Sequence, residues 1–232
     1  MDRAIRSNVS LQNVTVRFGQ AETLLSGVNL DIDIAKGESI AIIGASGSGK
    51  SSLLKVIASI APCAGGALLI DGQPLDQFGV REYRAHLGAV FADDGVFAGT
   101  VTENLSMFDS DIRFADMERA LETIGLLEEI RRLPQGFATP LADESRILST
   151  GHRRRLLIAR ALCRRPRLLL LDEVTANLDP KSEAQVVERL LATRAAKVFV
   201  THSEKLLPYV DRVYRVAEGR VFEEERGTRL SA

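Results

Sequence analysis

The stretch SIAIIGASGSGKSSLLKVI (39–57) decides the fold. SIAIIG (39–44) is short, rich in β-branched side chains, and stops at a glycine, the pattern of a strand buried on both faces. KSSLLKVIASI (50–60) has the spacing of a helix. Between them GASGSGKSS (44–52) fits G-x-x-x-x-G-K-[ST], with Gly44, Gly49, Lys50 and Ser51 at the fixed positions. Glycines let successive backbone N–H groups turn inward around phosphates, and the helix N-terminus adds its positive end. The candidate phosphate cradle is therefore Gly44, Ala45, Ser46, Gly47, Ser48, Gly49, Lys50, Ser51 and Ser52. Lys50 is positioned to reach the β- and γ-phosphates, and the Ser51 hydroxyl to coordinate Mg²⁺. The plainer reading is a glycine-rich turn that only starts a helix. Lysine, hydroxyl and strand–loop–helix context together argue against it.

Two further apolar runs, RLLLLDE (167–173) and KVFVTH (197–202), repeat the buried-strand pattern, with helical segments such as HRRRLLIARALCRR (152–165) between runs. That alternation argues an α/β fold. VSLQNVTVRF (9–18) and VNLDIDI (28–34) instead alternate apolar with polar residues, as half-buried antiparallel strands do. Helical stretches such as DMERALETIGLLEEI (116–130) fill the middle. The expected architecture is a P-loop NTPase core with a mostly parallel central sheet, an N-terminal antiparallel β subdomain and an inserted helical subdomain. The expected division of residues 1–232 as one domain is a core over about 1–91 and 153–232, with the helical part over about 92–152.

The 232 residues suffice for one such domain. Apolar residues make up 45% and charged residues 26%, ordinary soluble values. A net charge of −1 gives no bulk attraction to nucleic acid or anionic membrane. Cys63 and Cys163 match no metal or redox spacing and read as reduced thiols packed as small apolar groups. No stretch of these residues reads as a signal peptide, and no apolar run comes near the ~20 residues that span a bilayer, so none of them is expected to cross a membrane.

In open α/β sheets ligands bind at the carboxyl ends of the strands. Each of the three apolar runs carries its unusual residues there: Gly44 onward, Asp172 with Glu173, and His202. Asp172 can hold Mg²⁺ through water, and Glu173 can polarise an attacking water. An acidic pair after a strand could also cap the following helix; the phosphate loop makes the catalytic reading the stronger one. A lone histidine is usually structural, but His202 at the same edge points to a γ-phosphate contact.

With these motifs in place, the chain resembles the ATP-binding domain of ABC transporters over essentially its whole length. The phosphate loop, LLLLDE, ANLD (176–179) and TH (201–202) stand in that family's order and spacing. LSTGH (148–152) occupies the place of the family's signature LSGGQ. VFADDGVFAGTVTENL (90–105) and LPQGFATPLADESRILS (133–149) are similar to segments of exporter-type domains, among them those of bacterial peptide, bacteriocin and toxin exporters. The resemblance implies ATP and Mg²⁺ as cofactors and a head-to-tail dimer with a second ATPase domain, of the same or a homologous chain. It also implies a transmembrane domain as partner, a location on the cytoplasmic face of the membrane, and no nucleic acid. Exporter ATPase domains normally follow a transmembrane domain on the same chain, so an excised domain is expected ahead of a separately encoded subunit.

Residue by residue, the resemblance assigns catalysis to Lys50, Glu173 and His202 and the metal to Ser51 and Asp172. It gives nucleotide contacts to Ser149 and Gly151 of the signature, to Asp179 at the dimer interface, and to Phe18 as the aromatic on adenine. Phe18 could instead be a core aromatic, and Asp179 before Pro180 is also a good N-cap pair. Arg153, Arg154 and Arg155 read as a solvated face.

Three positions depart from the family pattern. Thr150 replaces a glycine, and would be strained if that position needs φ > 0. His152 replaces a glutamine. Ala92 stands where the family has a glutamine that touches Mg²⁺ and water and couples to the transmembrane domain; neighbouring Asp93 and Asp94 are the available substitutes. Two readings follow. One is an ATP-hydrolysing exporter motor, slowed by these changes. The other is an ATP-gated dimerisation module with little or no hydrolysis, forming a degenerate site with a different partner chain. A DNA-repair or chromosome-organising ATPase would need a long coiled-coil insert, for which there is no room.

Overall fold

The computed structural model describes residues 4–18, 22–141, 147–176 and 179–224. In chain order the first elements are β1 (Asn8–Phe18), β2 (Glu22–Asp33), β3 (Ser39–Gly44), α1 (Lys50–Ile57), β4 (Gly65–Ile70), β5 (Gln73–Pro74), α2 (Leu75–Phe78) and α3 (Val80–Ala85). Then come β6 (Leu87–Val90), β7 (Gly99–Thr100), α4 (Val101–Ser106), α5 (Phe114–Thr123), α6 (Leu127–Arg131), β8 (Pro140–Leu141) and α7 (Thr150–Leu162). The chain closes with β9 (Leu168–Asp172), α8 (Pro180–Leu191), β10 (Ala196–Val200), β11 (Arg212–Ala217) and β12 (Arg220–Glu224). Two compact units result, one formed by Met1–Leu87, Arg167–Glu173 and Arg194–Ala232, the other by Gly88–Pro166 and Val174–Thr193.

In the first unit the central sheet runs β12-β11-β3-β10-β9. β3 pairs in parallel with β10 and β11, β10 pairs in parallel with β9, and β12 is antiparallel to β11. Every residue of β9 and β10 is buried, as are the first five of β3. This is why these runs are continuously apolar rather than alternating. Each fully buried Leu, Ile or Val contributes roughly 1.5–3 kcal/mol of transfer free energy.

A second, antiparallel sheet runs β2-β1-β4-β5. Its apolar set in β1 is Val9, Leu11, Val14 and Val16, all buried. The step from 11 to 14 breaks period two, so without correction half the strand would face the wrong way. A β-bulge between Leu11 and Val14 absorbs the extra residue, with Asn13 at φ 50. Opposite it Gly66 has φ +74, and a Cβ there would lie 2.4 Å from the carbonyl oxygens of Gln12 and Asn13.

Lys197 on β10 is only 2% exposed. Burial pushes its ammonium down to about 8, against the opposing pull of Asp211. An unfolded lysine titrates near ~10.4. Between those values the unfolded chain binds more protons at this lysine than the folded one, so this group makes stability rise with pH. Burial pushes the Cys163 thiol up to about 12, which acts the other way over the same range. Urea unfolding of Lys197→Met is therefore expected to show stability rising less, or falling more, with pH than the parent's.

The second unit is mostly helical. α4 starts at a capping box in which Thr100 and Glu103 satisfy each other's backbone N–H groups. The stretch 116–130, read as continuously helical, is two helices, α5 and α6, separated at Gly125 with φ +67. α1 also ends earlier than its sequence pattern, at Ile57, with Ser59 at φ 57 beyond it. Cys163 is buried, but Cys63 is only half-buried, so the small-apolar reading holds fully for the first alone. Among the described residues no helix is long and apolar enough to cross a membrane.

Candidate functional site

β3 delivers its last residue, Gly44, into the loop that leads to α1. Gly44 has φ +151, and a Cβ there would lie 2.5 Å from the carbonyl oxygen of Val216 on β11. Gly49, the α1 N-cap, has φ +100 and packs against Leu25. These two backbone geometries account for the glycines of the motif. Gly44→Ala should lower the free energy of urea unfolding by roughly 1–3 kcal/mol, the scale of a strained backbone residue.

α1 has no side-chain cap at its N-terminus, which leaves its first N–H groups pointing into the loop. Lys50, at the first helical position, is 5% exposed. Its Nζ donates to the carbonyl oxygens of Gly44 at 2.9 Å and Ala45 at 2.7 Å. Burial lowers the Lys50 pKa, while the charges of Glu173 and Asp172 oppose that shift. The ammonium is thus held over the loop, with an acidic pair close enough to act on it.

β9 ends on Asp172, which is 1% exposed. The next residue, Glu173, adopts φ 49, a left-handed conformation unusual for a non-glycine side chain. Its N–H donates to the carbonyl of Val200 at the end of β10 (2.9 Å). The carboxylate Oε1 lies 2.9 Å from Nε2 of His202. The strained turn therefore aims the Glu173 carboxylate at the histidine two residues past the neighbouring strand.

A cleft of about 280 Å³ collects these groups, lined by Leu24, Ser46, Gly47, Gly49, Lys50, Ser51, Ser52, Glu173 and His202. Three separate sequence motifs therefore meet in one place. Leu24 was not singled out by sequence; it sits in the alternating pattern of β2 and carries no chemical signal of its own. The Ser48 hydroxyl is buried and has no hydrogen-bond partner among the described residues.

The remaining site candidates lie in the second unit or at the limits of the description. Ser149 is the N-cap of α7 and accepts from the His152 N–H at 3.2 Å. Thr150 and Gly151 are inside α7. Thr150 is not among the residues with positive φ, so the strain considered for a threonine at this position does not arise. Burial lowers the pKa of the half-buried His152, and Arg155 adds to the effect while Glu129 opposes it. Asp179 caps α8, its Oδ1 accepting from Lys181 and Ser182 N–H groups at 3.1 Å each, with Pro180 at the first helical position. The Phe18 side chain, Asn177 and Leu178 of ANLD, and residues 142–146 of the exporter-like stretch lie outside the described residues.

Arg153, Arg154 and Arg155 are not a solvated face. All three are half-buried, and each donates to backbone carbonyls: Arg153 to Leu148, Arg154 to Phe91 and Ala92, Arg155 to Gly125. The expectation failed because the bonding partners lie up to 63 residues away in sequence.

Residues 27–176 match the family model for the ABC transporter. The chain is 33% identical over 213 residues to the probable microcin-H47 secretion/processing ATP-binding protein MchF of Escherichia coli, covering 90% of this chain and 30% of that protein. It is 35% identical over 231 residues to the ATP-dependent lipid A-core flippase of Cupriavidus metallidurans, covering 97% and 38%. It is 34% identical over 187 residues to the colicin V secretion/processing ATP-binding protein CvaB of Escherichia coli, covering 81% and 27%. A solved bacterial Atm1-family ABC exporter with ATP bound is similar with a TM-score of 0.85 at 28% identity, over 93% of this chain and 38% of that one. The chain thus spans about a third of the length of these relatives. The glycine-rich loop, Glu173 and His202 meet at one cleft, and the family match over residues 27–176 with the likeness to a solved exporter establishes that this chain belongs to the ABC transporter family as an ATP-binding domain similar to those of exporters.

Proposed function

We propose that the chain is the Mg²⁺-dependent ATPase domain of an ABC exporter, closing head to tail with a second ATPase domain around ATP and driving a transmembrane domain. The observation that carries this reading is the convergence of Lys50, Ser51, Glu173 and His202 on one cleft, with the Glu173 carboxylate held 2.9 Å from His202.

In this reading the loop amides and Lys50 hold the phosphates, and His202 stabilises charge on the γ-phosphate. Glu173 orients a water and accepts its proton as the water oxygen attacks phosphorus and the bond to ADP breaks. The Ser51 hydroxyl and Asp172 carboxylate are hard oxygen donors of the kind Mg²⁺ takes. Among the described residues no cluster of three or more His, Cys, Asp or Glu could hold a metal unaided. Mg²⁺ held there would keep waters and phosphate oxygens as most of its ligands. When bound it neutralises phosphate charge; positioning and electrostatics supply the rest.

Ser149 and Gly151 would meet the partner's γ-phosphate through the α7 N-terminus, Asp179 would face the dimer interface, and Phe18 would stack on adenine. The core and helical parts proposed for the domain are about 1–91 with 153–232, and about 92–152. The exported substrate would be chosen by the transmembrane domain, and the chain would work at the cytoplasmic face of the membrane.

Thr150, His152 and Ala92 support a second reading, an ATP-gated dimerisation module whose signature completes a weak site on a different chain. Thr150 has a helical backbone, so in this reading its side chain, with His152 and Ala92, would be what weakens the site. Mg²⁺-dependent ATP hydrolysis per chain, measured as protein concentration rises, separates the two. A rate that climbs and saturates supports the homodimeric enzyme. Tight ATP binding with flat, near-zero hydrolysis, restored by Thr150→Gly with His152→Gln, supports the second reading.

A further inference from the structure

Residues 91–97 have no regular secondary structure, yet they are not loose. Phe91 and Asp94 close a tight turn. The Asp94 carboxylate accepts from the Phe91 N–H at 2.9 Å, and the Asp94 N–H donates back to the Phe91 carbonyl at 3.1 Å. The turn is then fastened to α7 at two points. Arg154 spreads its guanidinium over two successive carbonyls, Nη1 to Phe91 at 3.4 Å and Nη2 to Ala92 at 3.3 Å. Arg160 donates to Gly95 at 3.2 Å and sits 5.4 Å from the Phe97 ring centroid. Six residues separate the two arginines, about 9 Å along a helix.

The two fastenings differ in redundancy. Arg160 is also bonded to Asn104, through Nε to its carbonyl at 2.8 Å and Nη2 to its Oδ1 at 2.9 Å. Asn104 in turn bonds both the N–H and the carbonyl of Phe97. The far end of the segment is therefore held several ways. At the near end the Arg154 fork fastens the turn to α7, and the Asp94 charge acts on Arg160 of the same helix. Ala92 has no side-chain polar group, so its attachment runs through its backbone alone. The fork starts five residues after Ser149, the N-cap of the same helix. A rigid helix and a two-point attachment leave little freedom between the turn and that N-terminus.

We propose that Arg154 is a positioning residue that ties the 91–92 backbone to α7, so that this segment and the Ser149–His152 turn move as one piece. The inference rests on the ATPase reading for its effect on turnover, but not for the tie itself. Arg154 does not line the phosphate cleft, so the nucleotide should bind equally well without it.

The experiment uses the full chain with Arg154→Gln and Arg154→Lys. Amide hydrogen exchange is followed at Phe91 and Asp94, with the buried α7 stretch Leu156–Ala159 as control, and ATP hydrolysis is titrated in parallel. Arg154→Gln is expected to speed exchange at Phe91 and Asp94 several-fold and leave the control unchanged. It should lower kcat several-fold at unchanged KM for ATP, with Lys restoring part of both effects. Unchanged exchange in Arg154→Gln overturns the tie. Faster exchange with kcat and KM both at parent values overturns the role in turnover. A parent chain that hydrolyses no ATP sinks the ATPase reading instead, and the exchange result then decides the tie alone.

Discussion

Glu173→Gln is expected to lower Mg²⁺-dependent ATP hydrolysis by roughly 10²–10⁴-fold, the usual contribution of a positioned general base, while ATP still binds. The glutamine side chain has nearly the same size and can hydrogen-bond, so the turn at Glu173 and the N–H bond to Val200 should survive. What it cannot do is accept a proton from water. The left-handed φ of 49 at this residue is a local cost, and such costs persist where the surrounding structure over-determines the geometry. Here the two flanking constraints are the Val200 carbonyl and His202, 2.9 Å from the carboxylate. Phosphate release and ATP affinity should be measured on the same preparation. A variant turning over within a few-fold of the parent would remove Glu173 from the proposed chemistry. Loss of ATP binding instead would mean that its role is structural.

Lys50→Ala is expected to weaken ATP binding by about 10–150-fold, corresponding to the ~1.5–3 kcal/mol of a charge-assisted hydrogen bond. Before any nucleotide arrives, the ammonium is already ordered by the carbonyls of Gly44 and Ala45. Little side-chain entropy then remains to be lost on binding. Removing it also leaves Asp172 and Glu173 without the nearby cation whose pKa they act on, so their charge would repel the triphosphate. Lys50→Arg should not rescue, because a planar guanidinium does not replace a compact ammonium inside a buried loop. Equilibrium binding of a fluorescent ATP analogue checks both variants; an Arg variant that binds like the parent would contradict the tight-fit argument.

Much of the fold could be read from short stretches, because the causes are local. Strands buried on both faces must be apolar throughout, which marks β3, β9 and β10. A loop that wraps phosphates must be glycine-rich and run into a helix, which marks 44–52. Asp179 followed by Pro180 reads as a helix start because capping involves only the next few N–H groups. The candidate cleft was legible to the extent that parallel strands bring their carboxyl ends to one edge.

Other features depend on residues far apart in the chain. The bulge that keeps β1 in phase needs the carbonyls of Gln12 and Asn13 facing Gly66. The requirement for glycine at 44 comes from Val216, on a strand that pairs with β3 from the other end of the sequence. Glu173 shows no sign of its left-handed backbone until Val200 and His202 stand beside it. The three arginines after the signature segment look solvated until the carbonyls of Phe91, Ala92 and Gly125 are placed near them. Periodicity and residue type report which face of an element is buried. They do not report which distant backbone group will need a donor, or leave no room for a Cβ, because those demands arise only when the elements pack.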